Sequence, residues 1–146
     1  MARPNKEVLE ERQNFLQTIT ECADNPSKFS EVFLNHKLFP YNKQYVDCKD
    51  RFIVYRSGRQ VGKTMSTAVK AIHFAFFAPL MLKTVGQDCT IVIAAPTQNQ
   101  ATIMFGRIRD MIMRSEFLRG YVIRNTQTEM WVRFLDNTGS SKIVTR

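Results

Sequence analysis

Apolar residues in the first third of the chain recur at helical spacing among charged ones. Between residues 7 and 22 this pattern predicts an amphipathic helix, which Asn25 and Pro26 end. A second short helix is expected around residues 30–35. Helical character then resumes from Asn42 to Cys48, after Pro40 has forced an extended or turning backbone. The first 50 residues are therefore expected to form a helical segment.

The pattern changes in the middle of the chain. Residues 51–55 form a β-rich run that leads directly into a glycine loop, and residues 64–82 are predicted to be a helix ended by Pro79 and the following residues 83–86. Residues 89–95 are continuously apolar, as in a strand covered on both faces, and Pro96-Thr97 caps a helix that extends to about Met113. Two successive β-α units predict a parallel sheet.

The last 26 residues are predicted to form strands around residues 121–123, 130–135 and 142–144, with a turn at residues 136–139. Asp136 follows an apolar run, which is where a magnesium-binding carboxylate would be sought. However, Arg133 interrupts that run, no glutamate follows, and Asn137-Thr138-Gly139 completes a turn. Asp136 is therefore interpreted as a turn residue.

Composition fits one compact domain, since the chain has 146 residues of which 44% are hydrophobic. The formal net charge of +8 is uneven. Residues 1–50 have a balance of −1 and residues 51–146 a balance of +9. A basic second part favours polyanions, either a nucleotide or a nucleic-acid backbone, although a solvated basic face has the same composition.

Three cysteines without metal-ligand spacing indicate neither a zinc site nor a disulfide framework, and favour a reducing compartment. The amino-terminal segment carries no apolar signal core. The longest apolar stretch, residues 71–82, contains His73 and Pro79 and is too short to span a bilayer. We therefore expect a soluble intracellular protein. His73 and the Met and Phe residues after the loop are interpreted as core packing: Met65, Phe74, Phe76 and Met81.

The glycine loop carries the clearest chemistry. The phosphate-binding pattern is Gly, four residues, then Gly-Lys-Ser/Thr; here Ser57 takes the place of the first glycine, and Gly62-Lys63-Thr64 closes the motif. Lys63 is expected to neutralise the β- and γ-phosphates of ATP, and the Thr64 hydroxyl to ligate Mg²⁺. The predicted nucleotide-binding residues of the loop are Ser57, Gly58, Arg59, Gln60, Val61, Gly62, Lys63 and Thr64. The alternative is a glycine turn with an accidental Lys-Thr.

Three residues near this loop have two interpretations each. Arg59 could reach the γ-phosphate and stabilise transition-state charge, or it could form a salt bridge with a neighbouring segment. Tyr41 and Gln44 offer a ring to stack on adenine and an amide to read its edge. They could equally be a packed tyrosine and a polar residue at the start of a helix.

Together, these segments resemble a known family. The sequence 56–64 is similar to the variant Walker A loop of the large terminase subunits of tailed double-stranded DNA viruses. Residues 38–44 resemble the adenine-reading segment of that family, residues 91–101 the strand and helix start after the loop, and residues 131–140 the hairpin ahead of an acidic strand. The resemblance covers roughly residues 35–146.

The resemblance implies an α/β fold with three layers and a mainly parallel sheet, a partial RecA-like (ASCE) P-loop NTPase core over residues 51–146, preceded by N-terminal helices. It implies an ATP-driven motor that packages double-stranded DNA into procapsids as a homo-oligomeric ring, with portal protein and the small terminase subunit as partners. Its place would be the host cytoplasm and, transiently, the procapsid portal; it would be neither a virion component nor membrane-bound.

The family's acidic strand, catalytic glutamate and nuclease acids have no counterpart before Arg146. The chain therefore resembles the N-terminal part of such a motor, and we expect it to bind ATP with little hydrolysis. Two other functions stay open: a different P-loop DNA motor such as a helicase, and a non-hydrolysing module that binds nucleotide or DNA.

Overall fold

A computed structural model describes residues 6–83 and 86–146. Residues 1–5, at the start of the predicted helical segment, and residues 84–85, after the predicted helix 64–82, lie outside the described residues. The described elements, in chain order, are α1 (Lys6–Asp24), α2 (Pro26–Phe33), α3 (Pro40–Asp47), α4 (Lys63–Leu82), β1 (Cys89–Ile93), α5 (Gln98–Arg114), α6 (Glu116–Arg119), β2 (Val122–Asn125), β3 (Glu129–Arg133) and β4 (Ser140–Thr145).

Side-chain caps explain where several helices begin. The Asn25 side chain accepts a hydrogen bond from the Lys28 N–H, and Pro26, which needs no N–H partner, starts α2. Thr97 caps α5 in the same way, through the N–H of Gln100. The predicted amphipathic first helix, the helix after the glycine loop and the helix after residue 97 are all present, each within a few residues of its expected bounds.

The sheet has four strands in the order β1-β4-β3-β2. Strand β1 pairs in parallel with β4, whereas β4, β3 and β2 form an antiparallel meander. The predicted turn before β4 is confirmed, since the Asp136 carboxylate accepts hydrogen bonds from the Thr138 N–H at 3.0 Å and the Thr138 hydroxyl at 2.7 Å. Asp136 is thus a turn residue.

The α/β class is confirmed, but a mainly parallel sheet between two helical layers is not what the structure shows. The sheet is mixed and contains one parallel pair among the described strands. Met130, Val132 and Ile143 project from one face into the same core as α4 and α5. On the opposite face, Lys142 contacts the ring of Trp131 and pairs with Glu129. The described helices that contact the sheet therefore cover one face of it.

The predicted strand at residues 51–55 is wrong. The segment between α3 and α4 contains no strand, and Phe52 and Val54 are 84% and 87% exposed. An alternating β-rich pattern indicates an extended backbone, but a strand exists only where neighbouring backbone groups complete a ladder. Because this segment pairs with no strand of the described sheet, the expected succession of two β-α units is reduced to one.

Helix α4 is the centre of the fold. Its buried residues contact the sheet, α5 and the N-terminal helices, so that residues on both sides of position 50 share one core: Cys22, Phe29, Ile72, Phe76, Ile108, Ile112, Val132 and Ile143 are among them. His73 and Phe76 are buried, as predicted, whereas Met81 is exposed. The helix includes Pro79, which is buried in its last turn, and ends at the predicted Leu82, with Lys83 in the left-handed region at φ 52°.

Length and composition would also allow α4 to cross a membrane. Within the part of the chain that the structure describes it is the one helix with that property, and 56% of its most apolar window is buried in the protein. A helix packed on most sides in a protein core has the same apolar composition.

Candidate functional site

The glycine loop runs from the coil after α3 into the first residue of α4. Gln60 and Gly62 adopt left-handed φ angles of 58° and 81°, which turn the chain sharply before the helix begins. Gly62 is the N-cap of α4 and provides no side-chain acceptor. The first N–H groups of a helix have no partner within the helix, so those at the start of α4 are available to an anion.

The side chain of Lys63 reaches back across the loop to Ser57. Its Nζ donates a hydrogen bond of 2.7 Å to the carbonyl oxygen of Ser57, six residues earlier. The Ser57 hydroxyl is buried and has no hydrogen-bond partner among the described residues. The structure thus places a half-buried cation, an unpaired hydroxyl and open helical N–H groups within one short loop.

Thr64 is exposed beside this loop. Together with Lys63 it lines one end of a cavity of about 550 Å³ between α4 and β1. The remaining walls are mostly apolar, with Phe74, Ile91 and Ile93 among them. Residues 6–83 and 86–146 contain no group of three or more His, Cys, Asp or Glu side chains that could hold a metal ion. A magnesium ion at Thr64 would take its other ligands from phosphate and water.

Arg59 lies at the tip of the loop and is exposed. It forms no ion pair with any residue that the structure describes. The alternative role of a loop arginine tied to a neighbouring segment therefore has no support in this geometry, and the guanidinium is free to meet a ligand.

Tyr41 and Gln44 are both exposed on α3, one turn apart on the same side of the helix. The Tyr41 ring stacks on Phe39, with centroids 5.5 Å apart and planes within 5°. The structure therefore presents the tyrosine and the amide to solvent next to each other, without bringing either into a described contact with the loop.

The residues that do join α3 to the loop were not singled out from the sequence. Asn42, the residue after Tyr41, is 2% exposed, and its Nδ2 donates a hydrogen bond of 3.1 Å to the carbonyl oxygen of Val61. The Tyr55 hydroxyl donates to the Asn42 Oδ1, and the Tyr55 ring stacks on Tyr45 with centroids 4.1 Å apart. A lone amide on a short helix gives no sequence signal for this contact.

Lys70 was missed for a similar reason. From the second turn of α4 it reaches the C-terminal end of α3, where its Nζ donates to the carbonyl oxygens of Tyr45, Val46 and Cys48 at 3.3, 2.9 and 2.6 Å. A cation at a helix C-terminus satisfies free carbonyls and the negative end of the dipole. Burial lowers the pKa of Lys70 below its usual range, opposed by Cys48 and Asp47.

The site therefore comprises the loop of residues 57–64 at the start of α4. Asn42 and Tyr55 connect it to α3, and Lys70 joins α4 to α3 two turns further along the helix. Comparison of the chain with known proteins gives no further identification, since no family model and no curated protein matches it.

Proposed function

We propose that the protein binds ATP with Mg²⁺ through residues 57–64. The observation that carries this proposal is the position of Lys63, whose ammonium group lies across the loop on the Ser57 carbonyl oxygen at 2.7 Å. A loop that turns into a helix through two left-handed residues, with its lysine at the first helical position, has the features that cradle a phosphate chain.

Electrostatics favour a phosphate oxygen over the Ser57 carbonyl oxygen as the acceptor of the Lys63 hydrogen bond. Lys63 now bonds to a neutral carbonyl oxygen, whereas a phosphate oxygen carries negative charge, so the exchange adds Coulombic attraction to the hydrogen bond. The open N–H groups at the start of α4 and the exposed Arg59 add favourable interactions with the same negative charge. Thr64, exposed beside Lys63, would contribute the hydroxyl for Mg²⁺.

The wider proposal is an α/β P-loop ATPase core of the RecA-like type, belonging to a motor that packages viral double-stranded DNA. Its support is the sequence resemblance over residues 35–146, together with the loop geometry. In this proposal Tyr41 and Gln44, side by side on α3, read adenine, and Arg59 acts on the γ-phosphate. The working ring would engage DNA, portal protein and the small terminase subunit in the host cytoplasm and on the procapsid.

Titration with a fluorescent ATP analogue in the presence of Mg²⁺ tests nucleotide binding. Wild-type protein should bind saturably, and Lys63→Ala should bind about 10- to 100-fold more weakly, because a hydrogen bond to a charged group contributes about 1.5–3 kcal/mol. Lys83→Asn is the matched control, because Lys83 follows the opposite end of α4 and asparagine tolerates its left-handed backbone. Equal affinity of the two variants would refute the proposal.

The motor assignment has its own test. The coding sequence on the 3′ side of codon 146 should encode a buried strand that ends in Asp-Glu, followed by a domain with clustered nuclease carboxylates. A downstream sequence that encodes helicase motifs instead would favour the other P-loop motor, while leaving nucleotide binding intact.

A further inference from the structure

Asn42 is a buried amide in a place that packing alone does not explain. It is 2% exposed and lies on α3, a short helix whose other buried residue is the apolar Val46. Both ends of its amide are used: Nδ2 donates to the Val61 carbonyl oxygen at 3.1 Å, and Oδ1 accepts from the Tyr55 hydroxyl. A buried amide with both ends satisfied holds one orientation.

The hydrogen-bond partners determine which end of the Asn42 amide is the nitrogen and which is the oxygen. The carbonyl oxygen of Val61 can only accept, so the nitrogen of the amide must face it. The oxygen is then left to accept from the phenol of Tyr55. That phenol is itself held, since its ring stacks on Tyr45, whose hydroxyl lies 3.4 Å from the Thr67 Oγ1 on α4. Asn42 thus acts within a chain of contacts that runs from α3 to α4.

The contact with Val61 has a consequence for the next peptide group. In a trans peptide the C=O and the following N–H point in opposite directions, because the amide is planar. Since Asn42 holds the Val61 C=O towards α3, the Gly62 N–H must point away from α3. No backbone acceptor for the Gly62 N–H is present among the described residues. Asn42 therefore leaves the Gly62 N–H as an unpaired donor on the side of the peptide opposite to α3.

The Asn42 side chain also lies very close to the backbone of Gly62. A Cβ at position 62 would lie 2.9 Å from the Asn42 Nδ2, so the amide packs directly over the glycine backbone. We infer that Asn42 is a positioning residue for the phosphate loop: it holds the Val61-Gly62 peptide in the orientation that presents the Gly62 N–H to a phosphate oxygen. This inference rests on the proposed binding of ATP by the loop.

Inorganic triphosphate with Mg²⁺ is the probe, since it engages the loop without an adenine. Calorimetric titration of the whole chain should show Asn42→Leu binding triphosphate roughly tenfold or more weakly than wild type, as expected when a hydrogen bond to a charged group is lost. Asn14→Leu, the same substitution at an exposed position of α1, should bind as wild type does. Tyr55→Phe removes the phenol but keeps the Val61 bond, and should lose affinity by a smaller factor.

The amide nitrogen chemical shift of Gly62 in ligand-free protein distinguishes a positioning role of Asn42 from a purely structural one. Tyr55→Phe should move this shift, because the Asn42 amide keeps its bond to the Val61 carbonyl oxygen but loses the phenol that holds its other end, so the Val61-Gly62 peptide is held less tightly. Wild-type protein that fails to bind triphosphate would overturn the proposed function. Wild-type binding combined with equal affinity of Asn42→Leu, or an unmoved Gly62 shift in Tyr55→Phe, would overturn the role of Asn42 alone.

Discussion

The ammonium group of Lys63 and the carbonyl oxygen of Ser57 lie 2.7 Å apart and close residues 57–63 into a ring. The lysine is therefore already held across the loop, where the proposed phosphate chain would bind. Little side-chain entropy remains to be lost on binding, which is the usual benefit of a preorganised site. The unpaired Ser57 hydroxyl in the same ring adds a donor that a phosphate oxygen could satisfy.

Replacement of Gly62 by alanine should destabilise the protein and weaken phosphate binding. The left-handed φ of 81° costs about 1–2 kcal/mol for a residue with a side chain, and the new Cβ would displace the Asn42 amide. Gly58→Ala is the control, since its Cβ would meet only the Val61 Cγ1 at 3.9 Å. Urea denaturation should rank Gly62→Ala well below Gly58→Ala; similar stabilities would show that the turn tolerates a side chain.

Arg59→Ala should leave stability unchanged to within about 0.5 kcal/mol, because the exposed guanidinium has no ion-pair partner among the described residues. Its affinity for ATP should fall by about tenfold if the arginine meets the γ-phosphate. Affinity for ADP, which lacks that phosphate, should change much less. Arg56→Ala, an exposed arginine three residues earlier, should match wild type in both titrations; a loss of ATP affinity in Arg56→Ala alone would contradict the assignment.

Lys70→Met should lower the free energy of unfolding by about 1–3 kcal/mol, because the carbonyl oxygens at the end of α3 lose the ammonium group that joins them to α4. Lys43→Met serves as the comparison. It breaks only an ion pair with Glu31 on the surface, where side-chain exposures near 40% let solvent screen the attraction, so the loss of stability should be much smaller. If chemical denaturation gave the two variants equal stability, Lys70 would not hold α3 in place.

His73 should make stability depend on pH. Burial lowers the pKa of His73 to about 4, and the carbonyl oxygen of Cys22, 2.9 Å from Nε2, opposes this shift. The unfolded chain binds a proton near pH 6.5 and the folded protein only near pH 4. Stability from this group is therefore complete above pH 6.5 and decreases as the pH falls towards 4, by about 3 kcal/mol in total.

His73→Gln isolates this effect from the carboxylates, because an amide can still donate to Cys22 but does not titrate. Urea denaturation of both proteins between pH 7.5 and pH 4 should show wild type losing more stability than the variant over the lower part of that range. Parallel losses would mean that the pKa of His73 is not lower in the folded protein than in the unfolded chain.

The sequence predicted the elements that depend on local signals. Thr97 caps a helix where expected, and Asp136 completes its turn, because capping and turn contacts join residues two or three positions apart. Helix α4 was also predicted from its apolar composition. Pro79 lies inside the predicted bounds of this helix: in the last turn its ring removes one backbone hydrogen bond, and its burial in the core offsets the loss.

Contacts between distant segments could not be predicted in this way. Phe52 and Val54 have strand character, but only the presence of a neighbouring strand decides whether a strand forms. The parallel pairing of β1 with β4, the last strand of an antiparallel meander, likewise depends on pairing across 52 residues. Within the site, the motif predicts the loop lysine. The hydrogen bond from Asn42 to Val61 joins residues 19 positions apart, and no sequence motif indicates it.

The central claim is that residues 57–64 hold the phosphate chain of ATP, and the most direct test is a two-dimensional amide NMR titration of the whole chain with Mg-ATP. Shifts should be largest and saturable at Gly62, Lys63 and Thr64, inorganic triphosphate should reproduce them, and adenosine should not. The claim would be contradicted if the loop amides stayed unmoved while the largest shifts fell on the basic strands at Arg124 and Arg133.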